Sequence, residues 1–392
     1  MIESVKDKCT GCRACITVCA KHAITIVLDD YGYEYPKVNP DVCVECGMCE
    51  RVCPALHSGS DNHCLKCGAA YAVDAKMKFE GASGGLFGLI ASRVIAEGGI
   101  VFGAAFDDKL QLSTTSAETL DDLLPLCKSK YLLCNTNNQF CRIEQELVKG
   151  RKVLYCSSPC QIKALKLYLR KEYHNLILVD FVCHGVGAQS LFDKSVDYVE
   201  EKIKGKMKSF MFRYKKSNAS SHYYYYYDYL KSNKLLHKSG IYMQFPYYYA
   251  YQKYIIYRDS CYKCQYASEY RQGDITIADF HTIDKYVKGV DRFAGTSMFV
   301  CNTEKGLALF NLLSEQLKVF ELPWEEVKKN NRFGGEEEKK RQLRFDFLKS
   351  LKEDAFSTTV RKYLDYRKDW RYYYYMLPKF IQKIGCKLFL RG

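Results

Sequence analysis

The architecture of the chain is set near its start, in residues 8–20, KCTGCRACITVCA, and residues 42–54, VCVECGMCERVCP. In each stretch, three cysteines are separated by two residues, and a fourth follows after three more residues. The eight cysteines are Cys9, Cys12, Cys15, Cys19, Cys43, Cys46, Cys49 and Cys53. Gly11 and Gly47 permit the sharp backbone turn that directs the first three sulfurs of each stretch toward one point.

This spacing is typical of two iron–sulfur cubanes, in which the fourth cysteine of each stretch binds the cluster of the other stretch. We therefore predict two [4Fe–4S] clusters with these ligands: Cys9, Cys12, Cys15 and Cys53 for one, and Cys43, Cys46, Cys49 and Cys19 for the other. The alternative is a pair of zinc sites. Zinc ribbons, however, use two separate Cys-x2-Cys pairs rather than a triple repeat with a trailing cysteine.

Residues 1–57 resemble the two-cluster bacterial ferredoxins over their whole length, with strands predicted at residues 23–27 and 33–38. Residues 58–62 are small and polar, which predicts a linker that few contacts cross. We therefore predict an N-terminal ferredoxin 2[4Fe–4S] domain, residues 1–57, that folds and binds its clusters separately from the rest of the chain.

The chain has 392 residues, enough for two or three domains, and twenty of them are cysteines. Its first residues lack the apolar segment of a secretory signal, and no run of eighteen apolar residues occurs. The cysteines are therefore predicted to be thiolate ligands of a cytoplasmic protein in a reducing compartment, and not disulfides.

The formal net charge of +14 raises nucleic acid, acidic proteins and anionic membranes as partners. Nucleic acid is disfavoured because the runs of tyrosine lack interleaved Lys and Arg. Residues 376–390 are basic and amphipathic enough for peripheral contact with the inner face of a membrane. The favoured interpretation of this segment is a C-terminal helix packed on the protein with a solvated basic face.

Residues 68–301 alternate between patterns typical of helices and strands, which predicts an α/β domain with a mostly parallel sheet. Within it, residues 86–95 predict a helix, residues 176–182 a strand buried on both faces, and residues 208–236 antiparallel strands. Residues 302–392 are predicted to form a basic helical C-terminal region. The fold class is thus α+β for the ferredoxin module and α/β for the larger domain.

Further cysteines fall in loops next to strand ends, where open α/β sheets place their ligands. Four of them are predicted to hold a third [4Fe–4S] cluster: Cys160, Cys183, Cys261 and Cys264. Cys156 competes for one of these positions, and zinc or buried cysteines without metal are the alternatives. Cys64 and Cys67 form one more Cys-x2-Cys pair, for which a redox or metal role and a tolerated pair of linker thiols both stay open.

Several short motifs follow one another between residues 68 and 306. They are Ser83-Gly84-Gly85, Ser129-Lys130-Tyr131, Ser158-Pro159-Cys160-Gln161, VDFVCHG at 179–185, Cys261-Tyr262-Lys263-Cys264 and GDITIADF at 273–280. In order and spacing they resemble the coenzyme F-420 hydrogenase/dehydrogenase beta-subunit family. The resemblance implies a flavin, FAD in the hydrogenase branch, beside a [4Fe–4S] cluster. It also implies electron exchange with a hydride-accepting coenzyme.

The resemblance further implies which residues surround the flavin. These are Ser83, Gly84, Gly85, Lys130, Ser157, Ser158, Gln161 and His184. The family usually has Gly-Thr in place of Ser157-Ser158 and a tryptophan in place of His281, two departures that bear on whether a deazaflavin coenzyme is used. No Gly-x-Gly-x-x-Gly follows a strand, so a Rossmann dinucleotide site finds no support.

The predicted function is that of an iron–sulfur flavoprotein oxidoreductase, in which a flavin pairs single electrons from the clusters into a hydride, or the reverse. Its expected partners are a redox protein, either a ferredoxin or another oxidoreductase subunit, and a small-molecule hydride acceptor or donor. The alternative is a non-enzymatic electron-transfer subunit that connects a partner oxidoreductase, with a link to polysaccharide biosynthesis.

Overall fold

The computed structural model describes residues 2–57, 59, 62–215, 224–290, 295–330, 333 and 341–377. The strands in these residues are Ile24–Leu28 (β1), Glu34–Val38 (β2), Lys66–Ala72 (β3), Ile100–Phe106 (β4), Leu112–Ala117 (β5), Val153–Ser157 (β6), Leu176–Phe181 (β7), Lys206–Met211 (β8), Tyr224–Lys231 (β9), Lys234–Ile241 (β10), Ile275–Asp279 (β11), Ser297–Cys301 (β12) and Leu317–Glu321 (β13).

The α-helices in the same residues are Ala14–Thr17 (α1), Met48–Arg51 (α2), Ala75–Glu80 (α3), Leu86–Ala96 (α4), Leu120–Leu123 (α5), Gln139–Val148 (α6), Pro159–Leu169 (α7), Gln189–Ile203 (α8), Pro246–Gln252 (α9), Asp259–Tyr262 (α10), Glu304–Leu312 (α11), Trp324–Asn330 (α12), Arg341–Glu353 (α13), Phe356–Tyr363 (α14) and Trp370–Met376 (α15). Short 3-10 helices are Ile2–Lys8, Leu124–Leu126, Tyr242–Gln244, Ile283–Lys285, Ser314–Gln316 and Tyr366–Lys368.

The centre of the larger domain is a sheet of eight strands in the order β13-β3-β12-β11-β7-β6-β4-β5. Three neighbouring pairs of strands are parallel, namely β4 with β6, β6 with β7, and β7 with β11. In the second pair, Val153 of β6 lies opposite Leu176 of β7. The remaining neighbours are antiparallel. The prediction of a mostly parallel sheet is therefore wrong, and the sheet is mixed. One reason is that β4 and β5 are joined by a short loop, which only an antiparallel pair allows.

Helices cover both faces of this sheet, which makes the domain a three-layered α/β structure. On one face, Ile90 of α4 belongs to the same buried cluster as Leu154 and Val179 of the sheet. On the other face, Ile162 of α7 packs with Val153 and its neighbours. Strand β7 is buried from Leu176 to Asp180, as the prediction of a strand buried on both faces required.

The region after residue 302 is not wholly helical. Strand β13 extends the central sheet next to β3, with Val319 opposite Ala70. The prediction of a helical region 302–392 is therefore wrong for this strand. The central sheet also continues past the predicted domain boundary at residue 301. The strand escaped prediction because it has only five residues and lies between charged helical segments.

A second, antiparallel sheet has the order β10-β9-β8, which confirms the strands predicted within residues 208–236. Its tyrosines and those of α9 form an aromatic core, in which Tyr227, Tyr247, Tyr248 and Tyr249 are buried. No helix in the described part of the chain is long and apolar enough to cross a membrane. Most of the amphipathic segment 376–390 lies outside the described residues.

The N-terminal module consists of the β1–β2 hairpin and the two cysteine stretches. Ile24 lies opposite Val38 in the hairpin, close to the predicted bounds of both strands. Gly11 and Gly47 have φ values of +71° and +70°, the left-handed conformation that the predicted sharp turns require.

Many contacts join this module to the larger domain, so the expectation of few crossing contacts is wrong. The Tyr33 hydroxyl donates to the Ile256 carbonyl at 2.9 Å, and the Thr136 hydroxyl donates to the Cys12 carbonyl at 3.1 Å. Tyr266 donates to the Pro54 carbonyl at 2.6 Å. Side chains of each part thus bind backbone carbonyls of the other, including two in the cysteine loops. The composition of residues 58–62 carries no signal of these contacts.

Candidate iron–sulfur and flavin sites

A cavity in the N-terminal module is lined by four predicted ligands: Cys9, Cys12, Cys15 and Cys53. Burial, followed by the thiols of Cys9 and Cys53, raises the pKa of Cys15 to about 12. Burial also raises the pKa of Cys12, as do its three neighbours. Burial also raises the pKa of Cys53. Crowded thiols with raised pKa values need a cationic centre to become thiolates, and iron in a cubane supplies one. The donor set therefore fits a cluster.

The second predicted set lies beside the first and is more open to solvent. Cys43, Cys49 and Cys19 pack against the small core of the module, whereas Cys46 is exposed. Burial, followed by Glu50 and then Cys43, raises the pKa of Cys49. The Cys19 sulfur accepts the Ala23 N–H at 3.4 Å. A cluster held here is the more accessible of the two to an external electron donor.

The four cysteines predicted for the inner site converge from three segments. Cys160 lies in the first turn of α7, Cys183 follows β7, and Cys261 and Cys264 lie in and after α10. Burial raises the pKa of Cys183, and the thiols of Cys261, Cys160 and Cys264 raise it further. Each of these cysteines is therefore near Cys183, as one shared site requires.

Cys156 belongs to a different group. Burial raises its pKa to about 12, and its charged neighbours are Asp180, Lys130 and Cys127. None of the three is a member of the inner four. The geometry thus favours Cys160 over Cys156 as a ligand of the inner site.

Tyr266 lies near both the first cavity and the inner site. Its hydroxyl donates to the Pro54 and His57 carbonyls, at 2.6 and 2.9 Å. Burial is the main cause that raises its pKa, and the thiols of Cys160, Cys12 and Cys264 raise it as well. Thiols of both sets therefore act on the same phenol group, so the two sites are neighbours.

The Ser-Gly-Gly motif has a structural explanation in the chain itself. The Ser83 hydroxyl donates to the Thr296 carbonyl at 2.7 Å. A Cβ on Gly84 would lie 2.5 Å from the Ala70 carbonyl oxygen, and Gly85 begins α4 with a φ of +84°. Glycine is thus required at both positions for packing, and the contact of this motif with a flavin stays a prediction.

The loop before α7 is fixed by its own side chains. The Ser157 hydroxyl donates to the Gln161 side-chain oxygen, and the Gln161 side-chain nitrogen donates to the Cys134 carbonyl at 2.7 Å. The Ser158 hydroxyl lies 3.3 Å from the Cys160 sulfur. His184 follows Cys183 and is partly buried. These predicted flavin residues therefore border the inner four cysteines.

Lys130 lies in a buried basic cluster, most of which the sequence did not reveal. Burial lowers the pKa of Lys130 to about 8, and its ammonium donates to the Pro125 and Cys127 carbonyls at 2.6 and 2.7 Å. Burial, followed by the charges of Arg213 and Lys128, lowers the pKa of Lys215 to about 7. The Lys215 ammonium donates to the Ser83 carbonyl at 2.6 Å.

Arg213 is held in the same cluster by Asp279, at the end of β11, through two hydrogen bonds of 2.7 Å. This carboxylate offsets the charge of Arg213, while Lys128, Lys130 and Lys215 add positive charge around it. The cluster therefore favours an anion next to the Ser83 loop. Sequence reasoning missed Lys128, Arg213 and Lys215 because they come from distant segments and lie in no recognisable motif.

Cys64 and Cys67 lie together at the start of β3. A side-chain hydrogen bond between them is the main cause that lowers the pKa of Cys64 and raises that of Cys67. No group of three or more His, Cys, Asp or Glu side chains within the described ranges is placed to hold a single metal ion. A role for the pair stays a prediction.

The described sites define a class of protein, one with adjacent multi-cysteine centres. Residues 8–56 match the family model described as 4Fe-4S dicluster domain. Residues 150–325 match the model that describes the C terminus of the beta subunit of coenzyme F420 hydrogenase/dehydrogenase. Two regions of the chain thus match the two families that the sequence resembles, which confirms the resemblance.

Among solved structures, the chain is similar to one described as a xenon derivative of the F420-reducing [NiFe] hydrogenase complex from Methanosarcina barkeri. The two chains are 17% identical, the match covers 77% of this chain and 92% of that chain, and the TM-score is 0.44. No curated protein matches the sequence.

Proposed function

We propose that the protein is an iron–sulfur flavoprotein oxidoreductase with three [4Fe–4S] clusters and a bound flavin, FAD. The observation that carries this proposal is the placement of the inner cysteines near the cavity of Cys9, Cys12, Cys15 and Cys53, with Tyr266 close to both. With clusters bound, these neighbouring cysteine sets would offer single electrons a route from the module to the inner site. A bound flavin would supply the pairing of two electrons into a hydride.

The protein's own residues have distinct roles in this scheme. The inner cluster is held by Cys160, Cys183, Cys261 and Cys264. The basic cluster around Lys130 and Lys215 binds the phosphates of the flavin, because buried ammonium groups are stabilised by an adjacent anion. Ser157, Ser158, Gln161 and His184 would hold the flavin next to the inner cysteines, and the Ser83 loop would contribute to binding its phosphates.

A non-enzymatic electron-transfer subunit is the second candidate. It is favoured by one observation, namely that Ser83, Gly84 and Gly85 are fully explained by contacts within the chain. In that case the exposed side of the module, around Cys46, contacts a partner oxidoreductase, and the inner cluster passes single electrons onward without a flavin.

Anaerobic reduction of the purified protein by a one-electron donor separates the two candidates. The proposal predicts that the broad cluster absorbance and a flavin absorbance both bleach, and that a denatured sample releases FAD. Clusters that bleach without any releasable flavin, even after the protein has been incubated with FAD, would instead support the electron-transfer subunit. A colourless protein that contains zinc would exclude both.

A dependence of stability on pH is expected from Lys215 in the flavin-free protein. The pKa of Lys215 is about 7 in the folded chain, against an ordinary value of 10.5. Between these values the unfolded chain holds a proton that the folded chain has lost, so the free energy of unfolding rises with pH. Urea unfolding from pH 7 to 10 measures it, and Lys215→Met should flatten the rise.

The matched control for this experiment is Lys234→Met, on the exposed β9–β10 hairpin, which should leave the rise unchanged. Flavin binding should also flatten the rise, because a bound anion favours the protonated lysine. An unchanged slope in Lys215→Met would contradict the assignment of the basic cluster as a site of buried, uncompensated charge.

A further inference from the structure

Arg258 is buried at the contact between the N-terminal module and the larger domain, with 1% of its surface exposed. It directly precedes α10, and its Nε donates to the Cys9 carbonyl. Its Nη2 donates to the Glu34 carbonyl at 2.7 Å, and its guanidinium lies over the Tyr35 ring at 4.3 Å. Each of these partners is neutral, so they hold the side chain in place without balancing its charge.

Within the described residues, Arg258 has no carboxylate partner. Its Nη1 is buried and has no hydrogen-bond acceptor, and this nitrogen lies 3.5 Å from the position that a Cβ on Gly11 would take. A buried charge without a counter-charge is strongly destabilising. The arrangement therefore points to an anion that belongs at this place when the protein is complete.

Two sets of cysteines lie on either side of Arg258. Its Nε binds the backbone of Cys9, a predicted ligand of the first cluster, and its carbonyl accepts the N–H of Cys261, a predicted ligand of the inner cluster, at 2.9 Å. The guanidinium is thus adjacent to both cluster sites.

We propose that Arg258 is the shared counter-cation of the first and inner clusters and raises the reduction potential of both relative to the outer cluster. This inference rests on the proposed function, since it requires the clusters. When a cluster takes up one electron, no bond forms or breaks, and its net charge becomes more negative by one. A fixed positive charge in a low-dielectric site stabilises that reduced form.

Arg13 offers a matched comparison in the same module. It also borders the first cavity, but its guanidinium forms an ion pair with the Glu34 carboxylate at 2.6 Å, and both side chains are 23% exposed. Solvent and the carboxylate therefore screen its charge. Loss of Arg13 should shift the cluster potentials much less than loss of Arg258.

Redox titration of the full-length protein, followed by electron paramagnetic resonance, tests the proposal with Arg258→Gln, Arg258→Lys and Arg13→Gln. The inner cluster is identified as the signal absent from Cys160→Ser. Arg258→Gln should lower the reduction potentials of the first and inner clusters relative to that of the outer cluster. The expected shift is about 59 mV or more, which is a tenfold change in the ratio of reduced to oxidised cluster for one electron. Arg258→Lys and Arg13→Gln should stay well below half of that shift.

Iron and sulfide analysis accompanies every titration. Wild-type protein without clusters would refute the proposed function, whereas fully loaded Arg258→Gln with unchanged potentials would refute the role of Arg258 alone. If Arg258→Gln loses iron, Arg258→Lys decides the question. Lysine keeps the positive charge but not the two hydrogen bonds. Reduction potentials of Arg258→Lys near those of the wild type would therefore support the role of the charge, and a tenfold shift in the redox equilibrium would contradict it.

Discussion

Cys160→Ser is expected to lose one complete cluster, which is about four of the twelve irons that three cubanes contain. A serine hydroxyl is a hard ligand and a poor substitute for thiolate on iron. Cys160 is one of four cysteines near one another at the inner site, and its loss leaves one iron of a cubane without a thiolate ligand. Iron and acid-labile sulfide per chain measure the loss, and flavin reduction by a one-electron donor should fall with it.

Cys156→Ser is the matched control, since it lies four residues earlier, on β6, and has a different set of neighbours. It should keep all three clusters. If Cys156→Ser loses the cluster and Cys160→Ser keeps it, the ligand assignment at this loop is wrong. If both variants keep full iron, no cluster is held at the inner site by this loop.

Asp180→Asn is expected to destabilise the larger domain by about 3–5 kcal/mol, the usual cost of leaving one partner of a buried ion pair alone. The side chains of Asp180 and Arg271 are 0% exposed and their charged groups lie 3.4 Å apart. Asp180 also accepts the N–H groups of Gln272 and Gly273, at 2.9 and 3.1 Å, and the Thr276 hydroxyl at 2.6 Å. Asparagine keeps the shape of the side chain but removes the negative charge to which these donors and Arg271 bind.

Urea unfolding followed by circular dichroism measures this effect, with the inner-site iron content determined alongside. Asp365→Asn is the control, because Asp365 pairs with an arginine whose side chain is 69% exposed, and solvent screens the pair. That variant should unfold at the wild-type midpoint. An Asp180→Asn protein as stable as the control would show that the buried pair does not hold the loop near Cys264.

The cysteine spacing made the N-terminal module predictable, because the requirements of a cubane are local in sequence. Three ligands follow one another within seven residues, and the left-handed glycines that the turn needs are visible as Gly11 and Gly47. The inner site was predictable in part. Cys160 and Cys183 follow sheet strands, where ligands collect, and the Cys261–Cys264 pair could be added because of its spacing.

Other features depend on contacts between distant segments and could not be predicted. Strand β13 is five residues long, and its place beside β3 is set by a sheet edge that no local pattern encodes. Arg258 and Tyr266 were not singled out, although they connect the module to the larger domain. Both were missed because their partners are backbone carbonyls near residues 9 and 54, which leave no signal in the sequence.

The basic cluster shows the same limit at the flavin site. Lys130 was identified only through the family resemblance, whereas Lys215 comes from a segment more than eighty residues away and shares Lys128 as a neighbour with it. Burial, and not the residue type, gives these lysines their lowered pKa values. Burial of a charged side chain is the property that a single sequence reveals least.

The central claim is that one chain holds three cubanes, two in the N-terminal module and one at the inner site. Iron and acid-labile sulfide analysis of protein purified without oxygen tests it most directly. We predict about twelve irons and twelve sulfides per chain, four of each for every cluster. A value near eight would show that the inner site holds no cluster, which would contradict the proposed electron route. A value near zero with bound zinc would contradict the account as a whole.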